Sequence, residues 1–307
     1  MPAAPRHYAV HAAMLATVCV WGATFALIKD ALQDVSPLLF NLLRMTLAFA
    51  VLGAVHHRSL RNISRAAWTS SLAAGTCLAI GYQFQTAGLR LTSPSKSAFL
   101  TGLVVVFVPL LALIKALRPT HSPKPSLITL AAALPAFTGV VLLTTPSNIT
   151  AFASINMGDI LTLACALGFA LHVIAISHAS PRIPLAQLTT LQIGFAAVLM
   201  LVTTPLIEHP HVRWSPRVIL ALLITAILAT AAAFTVQTWA QRHFPPSHTA
   251  LLLAFEPVFA WLTALLILHD HLTPRALAGA ALILSGILLV ELRGRVEPPP
   301  APVSASL

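Results

Sequence analysis

Ten stretches of roughly 20 mostly apolar residues follow one another along this chain, and that pattern leaves few folds open. A helix needs about 20 residues to cross a hydrocarbon core about 30 Å thick. The stretches fall at roughly 8–28, 37–55, 67–88, 97–116, 127–145, 158–178, 186–206, 217–239, 248–268 and 276–292. Alternation at every second residue is absent, which argues against a β-barrel. Composition agrees: 57% of the residues are hydrophobic and 8% charged, whereas a soluble domain carries about 25% charged residues. The first span is too long an apolar run for a signal peptide, and "WGATF" makes a poor cleavage site, so it is read as retained. The chain is expected to be an all-α membrane protein with the lipid bilayer as its first partner.

The net charge of +10 is distributed by side. With the N-terminus in the cytoplasm, eleven cationic residues fall inside, from Arg6, Arg58 and Arg61 to Arg242 and Arg293. Six fall outside (Lys29, Arg90, Lys96, Arg213, Arg217, Arg275), and Arg44 is left within a span. That bias predicts N-in and C-in. No basic stripe interleaves with aromatics, so no nucleic-acid partner is expected.

The two halves repeat. "QTAGLRLTSPSKSAFL" from Gln85 and "QTWAQRHFPPSHTALL" from Gln237 share Gln-Thr, an Arg five residues after the Gln, Pro-Ser, and a later Ala and Leu, all at a spacing of 152. "VPLLA" at Val108 matches "EPVFA" at Glu256, and "TGVVLL" at Thr138 matches "SGILLV" at Ser285. Five spans per half is an odd number, so the second half enters the membrane from the opposite side. Ten transmembrane helices thus form two inverted five-helix repeats, residues 8–145 and 158–292, followed by a disordered Pro-rich cytoplasmic tail, 293–307. Inverted repeats recur in secondary transporters, because two pseudo-symmetric halves can exchange conformations around a central site.

The residues resemble the EamA family of the drug/metabolite transporter superfamily. The resemblance is carried by "WGATFALIKD" at Trp21, "LLFNLLRMTLAF" at Leu38, "TSPSKSAFLTGLVVVFVPLLA" at Thr92, "LLLAFEPVFAWLTALLILHDHLT" at Leu251 and "GAALILSGILL" at Gly279. It implies two five-helix repeats, a central cavity lined by the first four helices of each, and transport of small metabolites. Asp270 in "LHDHLT" stands where members of the family often carry Glu.

Two ionisable residues fall deep in the bilayer. Glu256 lies near the centre of span nine, and Arg44 lies seven residues into span two, about 10 Å deep at 1.5 Å per residue. A charge near midplane costs about 2.5–3.5 kcal/mol on insertion scales. The pair reads as a gate or as contacts to the ammonium and carboxylate of an amino-acid-like substrate, and equally as two groups that hold helices in register. An unpaired Glu256 could carry a proton, whereas pairing with arginine would keep it ionised. Pro257 is expected to kink span nine and free the carbonyl of Leu253, with Pro109 in the matching place of span four. Thr24, His172 and Gln192 are further polar candidates at depth, and Trp21, Phe25 and Trp239 are candidate aromatic walls. Gln85 and Gln237 suit gates or helix ends better than a midplane site.

The remaining motifs are weaker. Cys19, Cys77 and Cys165 read as small buried apolar side chains. Spans five and ten, rich in small residues such as Gly279, Ala280 and Gly286, are expected at the periphery, supporting the fold or a homodimer contact. His209 and His211, with His269, Asp270 and His271, have the chemistry of a zinc, nickel or copper site, but His-x-His on loops is common without metal, and no metal or cofactor is assigned. A P-loop is absent, which disfavours direct ATP coupling. H-E-x-x-H and G-x-S-x-G are absent too, which disfavours an intramembrane enzyme. The reading is a multi-pass secondary transporter of the plasma membrane, or inner membrane in a Gram-negative cell. It exports a small organic metabolite such as an amino acid, with efflux of a metal or cationic drug as the alternative.

Overall fold

The computed structural model describes residues 7–92, 94–120, 122, 124–144, 156–268 and 274–293. Among these every regular element is helical, and one isolated antiparallel bridge, Val35 with Val212, joins two loops. The first half contains α1 (His7–Ala31), α2 (Pro37–His56), α3 (Arg65–Leu91), α4 (Pro94–Gly102), α5 (Val104–Leu113) and α6 (Leu127–Thr144). The second contains α7 (Met157–Ala179), α8 (Leu185–Ile207), α9 (Pro216–Ala226), a π-helical segment (Ile227–Ala232), α10 (Ala233–Ala240), α11 (Pro246–Leu253), α12 (Glu256–Leu268) and α13 (Pro274–Arg293). Five continuous stretches are long and apolar enough to span a membrane: Tyr8–Ala31, Pro37–His56, Met157–Ala179, Leu185–Ile207 and Pro216–Ala240. Shorter apolar helices accompany them at Leu100–Leu113, Leu127–Leu142 and Leu277–Gly286. This is a multi-pass integral membrane protein. Residues 294–307, expected to be disordered, lie outside the described residues.

Local chemistry sets where the helices begin. Ser36 and Pro37 open α2 and Ser215 and Pro216 open α9, with proline at a first-turn position whose N–H would have no helical partner. The Ser64 side chain accepts from the Ala67 amide at the start of α3. Asn156 and Asp159 form a reciprocal capping box at α7, satisfying two otherwise orphaned donors. Large apolar side chains such as Leu134, Leu201 and Leu206 face outward, as lipid-facing surfaces require.

Packing follows the repeat. α2 packs on α8, α3 on α7, and α1 on α9 and α10. Helices α6 and α13 pack on each other at one flank, and Gly139 and Gly286, the glycines matched between "TGVVLL" and "SGILLV", stand at equivalent places in that contact. A Cβ on Gly139 would lie 2.4 Å from the Gly279 carbonyl oxygen, and one on Gly286 would lie 2.7 Å from that of Ala132. Missing side chains let the two backbones touch, and dispersion over that contact replaces the hydrophobic drive that lipid cannot supply.

The loops pair at two ends of the bundle. At one end the α1–α2 connection meets the α8–α9 connection, where the Asp34 carboxylate binds Arg213, Arg217 (Nε to Oδ2 2.7 Å) and the Ser215 hydroxyl (2.6 Å). At the other end Gln187 at the start of α8 donates to the Ser59 and Asn62 carbonyls of the α2–α3 connection. The α1–α2 connection thus pairs with the α8–α9 connection, and the start of α8 with the α2–α3 connection.

The Ser215 hydrogen bond, then Arg213 and Arg217, hold the Asp34 carboxyl below its ordinary range against the opposing effect of burial. Such a depressed group adds stability that is complete above the unfolded-state value, about 3.9, and is lost as pH falls through the folded-state value. Melting temperature measured from pH ~3 to ~7 is expected to fall on the acid side in the native protein. The Asp34→Asn variant is expected to show a lower and flatter acid limb. Parallel curves would show that Asp34 does not contribute.

The cysteines correct one expectation. Cys165 is buried, with its Sγ 3.8 Å from the Thr101 hydroxyl, but Cys77 is half-buried and Cys19 is exposed on α1. A thiol is apolar enough to face lipid as readily as protein.

Candidate functional site

A central cavity lies between the halves, enclosing about 740 Å³ of non-protein space including its mouth. Its wall takes Trp21, Thr24 and Phe25 from α1, Arg44 from α2, Tyr82 and Gln85 from α3, His172 from α7, Gln237 from α10 and Glu256 from α12. Many of these are repeat equivalents. A spacing of 148 relates Trp21 to Phe169 and Thr24 to His172, and a spacing of 152 relates Tyr82 to Phe234 and Gln85 to Gln237. The same helical faces in both repeats turn inward.

Arg44 is almost fully enclosed, at 1% exposed. Its Nε donates to the Thr230 hydroxyl at 2.6 Å, and Nη2 donates to the Tyr82 hydroxyl and the Ala229 carbonyl, both at 3.0 Å. The guanidinium carbon lies 4.3 Å from the Tyr82 ring centroid, a cation–π distance. Ala229 and Thr230 belong to the π-helical segment, whose wider turn shifts the regular i→i+4 bonding. The Ala229 carbonyl accepts a second side-chain donor, Trp21 Nε1, at 2.7 Å. Arg44 therefore joins α2, α3 and the π segment into one buried joint.

Glu256 and Arg44 share the cavity but form no ion pair among the described residues. Whether the two meet, left open by the sequence, is set by their partners: the Arg44 donors turn to Thr230, Tyr82 and Ala229, and the Glu256 carboxylate has no hydrogen-bond partner among the described residues. Close packing of α1 on α12 sets its position. A Cβ on Gly22 would lie 2.6 Å from the Glu256 carbonyl oxygen and 2.7 Å from the Ala260 nitrogen, so Trp21 and Glu256 are held on adjoining walls.

The prolines divide. The interruption between α11 and α12 falls at Ala254 and Phe255, immediately before Glu256 and Pro257, and Leu253 joins the cavity wall. In span four, by contrast, α5 runs through Pro109 and the break falls earlier, at Leu103 after Gly102. Leu103 bonds back to Leu100, a tighter i→i−3 turn. Proline at the sixth residue of α5 forfeits one intrahelical bond, yet the helix continues through it.

Two further expectations are corrected. Gln192, the repeat equivalent of Arg44, is off the wall; it lies behind it, pairing with His172 Nε2 at 2.8 Å and donating to the Thr238 hydroxyl at 3.2 Å. Trp239 is also off the wall, packed in an apolar cluster beside His243. Gln85 and Gln237, expected at gates or helix ends, line the cavity. Tyr82, Phe169 and Phe234 were not singled out in the sequence, although the repeat register that relates Trp21 to Phe169 and Gln85 to Gln237 points to them. In the loops, His211 Nδ1 lies 3.3 Å from the His209 carbonyl, and His269, Asp270 and His271 lie outside the described residues.

The cavity is off-centre. It reaches Ile28 and Leu89 toward the ends of α1 and α3, but their equivalents in the second repeat, Ile176 and Gln241, are sealed. Gln241 Nε2 donates to the Val173 carbonyl and the Ser177 hydroxyl, both at 2.7 Å, the Ser180 hydroxyl donates to the Gln241 carbonyl, and Arg242 Nη2 reaches the Ile183 carbonyl at 2.6 Å.

A helical membrane bundle of two related halves around a largely apolar cavity that carries a few polar side chains is an architecture suited to a transporter. The chain belongs to the EamA-like transporter family, whose match covers residues 8–145 and 156–292. An uncharacterized transporter of Archaeoglobus fulgidus is 31% identical over 276 residues, covering 89% of this chain and 83% of that protein. The uncharacterized transporter YoaV of Bacillus subtilis is 22% identical over 280 residues, covering 90% of this chain and 94% of that one. A solved crystal structure shares the fold with a TM-score of 0.75 at 20% identity, over 94% of this chain and 99% of that chain.

Proposed function

We propose that this membrane transporter is a secondary carrier of the plasma membrane, which exports a small organic metabolite, an amino acid or related compound, by alternating access. Its ten spans would be α1, α2, α3, α4 with α5, α6, α7, α8, α9 through α10, α11 with α12, and α13. Eleven cationic residues on one side against six on the other favour both termini in the cytoplasm.

The off-centre cavity carries this reading. Two halves related by sequence should be able to adopt each other's conformation at similar energy. Here they hold different ones: Leu89 lines the cavity, while its equivalent Gln241 is locked to Val173 and Ser177. Exchanging the two arrangements would close the cavity at the α1–α2 end and open it at the Gln241 end. A channel has no need of such a pair of states.

The test is a crosslink. In a background with Cys19, Cys77 and Cys165 replaced by alanine, Ser177→Cys and Gln241→Cys are joined by a short thiol-specific linker. Joining them is expected to abolish counterflow in proteoliposomes, while the unlinked double variant retains it. Full counterflow in the linked protein would refute alternating access through this end. Direction is read from cells overproducing the protein: export predicts that one metabolite accumulates in the medium, and depletion of that metabolite from the medium would reverse the assignment.

A further inference from the structure

Two acceptors on residues of the cavity wall lack a protein donor. One is the Glu256 carboxylate, which has no hydrogen bond or ion pair among the described residues. The other is Gln237 Oε1, buried on a residue 2% exposed and likewise without a partner. A buried acceptor left unpaired costs about 1–3 kcal/mol; Gln237 is buried and Glu256 half-buried on the cavity wall, where a ligand can bring the missing donor.

Several nitrogen donors around them are committed. Trp21 Nε1 is held by the Ala229 carbonyl, Gln85 Nε2 turns to the Thr101 hydroxyl at 3.4 Å, and Arg44 gives Nε and Nη2 to Thr230, Tyr82 and Ala229. The rest of the wall is aromatic. Trp21 and Phe234 have ring centroids 5.4 Å apart, and Tyr82 and Phe169 5.1 Å apart. The site thus joins unmet acceptors, one of them a carboxylate, to ring faces that attract cations.

We infer that the cavity takes a small organic ammonium ion with an aromatic or branched apolar body, which donates N–H groups to Glu256 and Gln237. A carboxylate on the ligand is dispensable, because Arg44 Nε and Nη2 are already tied to Thr230, Tyr82 and Ala229. This rests on the cavity being the substrate site, and it narrows the substrate to the amine rather than the amino acid.

Three probes that share one ring separate the alternatives on the native protein in nanodiscs: 2-phenylethylamine, L-phenylalanine and 3-phenylpropionate, titrated by calorimetry. The expected result is binding of 2-phenylethylamine at least as tight as that of L-phenylalanine, with no binding of 3-phenylpropionate. Glu256→Gln is expected to weaken 2-phenylethylamine about 30-fold, and Gln237→Leu about 10-fold. Each variant is first checked for unchanged melting temperature, and the probe series needs no variant at all. Binding of L-phenylalanine without 2-phenylethylamine, binding of 3-phenylpropionate, or binding of none of the three would each overturn the assignment. Counterflow separates the two readings. If 2-phenylethylamine binds but is not moved, the site stands and the carrier fails. If L-phenylalanine is moved but 2-phenylethylamine is neither bound nor moved, the carrier stands and the amine site fails.

Discussion

Arg44→Ala is expected to destabilise the folded protein in detergent by about 3 kcal/mol, with transport falling to background. Two opposing effects set the sign. Enclosing a guanidinium is costly, and replacing a buried charge with apolar side chains is often neutral or stabilising. Here, however, alanine also removes three hydrogen bonds and the cation–π contact with Tyr82, and it empties the volume of a side chain 1% exposed. Alanine cannot fill that space, so the cavity cost adds to the lost bonds. Arg44→Lys separates charge from geometry: an ammonium keeps the charge but lacks the planar fork that serves Thr230, Tyr82 and Ala229 together. It is expected to recover less than half of the lost stability. Thermal unfolding and proteoliposome counterflow, measured on the same preparations, check both variants. An unchanged melting temperature in Arg44→Ala would show that the joint does not hold α2 and α3 to the π segment.

Gly22→Ala is the second large effect. Its Cβ would meet the Glu256 oxygen at 2.6 Å, the Ala260 nitrogen at 2.7 Å and the Phe259 Cβ at 2.8 Å. Two of these atoms are backbone and the third is the base of a side chain, so no rotamer change relieves the clash and α1 must move off α12. Overpacking of this kind costs about 1–3 kcal/mol. The functional loss should be larger than the stability loss suggests, because α1 carries Trp21, Thr24 and Phe25 and α12 carries Glu256 on one cavity wall. A drop in counterflow of about tenfold or more is expected, since small misplacements of site groups are amplified in rate. Gly53 on α2 is the control. A Cβ there meets nothing within 4 Å, and Gly53→Ala should leave transport intact and raise helix stability by about 0.5–1 kcal/mol. Equal behaviour of the two variants would mean that the α1–α12 contact is looser than its geometry.

The two variants also divide what was legible in sequence from what was not. The apolar spans and the repeat between Gln85 and Gln237 are local or internal patterns, readable because apolar runs and short motifs stand in contiguous sequence. The same register, pursued further, pairs Trp21 with Phe169 and Tyr82 with Phe234. It could not say that Arg44 lines the cavity while its counterpart Gln192 is turned behind it to His172, because the repeats have diverged in side chain and in conformation.

The sequence by itself determined a helical membrane chain of two related halves, a family, and two charges at depth. It did so because burial in lipid punishes exposed backbone and charge wherever they fall, so the spans announce themselves. Only the tertiary structure decided which partners those charges have. Glu256 and Arg44 could have neutralised one another on depth alone. Instead a π-helical turn in the segment Ile227–Ala232 presents a carbonyl and a hydroxyl to Arg44, and leaves the carboxylate facing the cavity. A helix's rotation about its axis, and a turn of π in place of α, arise from contacts between residues as far apart as Arg44 and Thr230, and no local pattern records them.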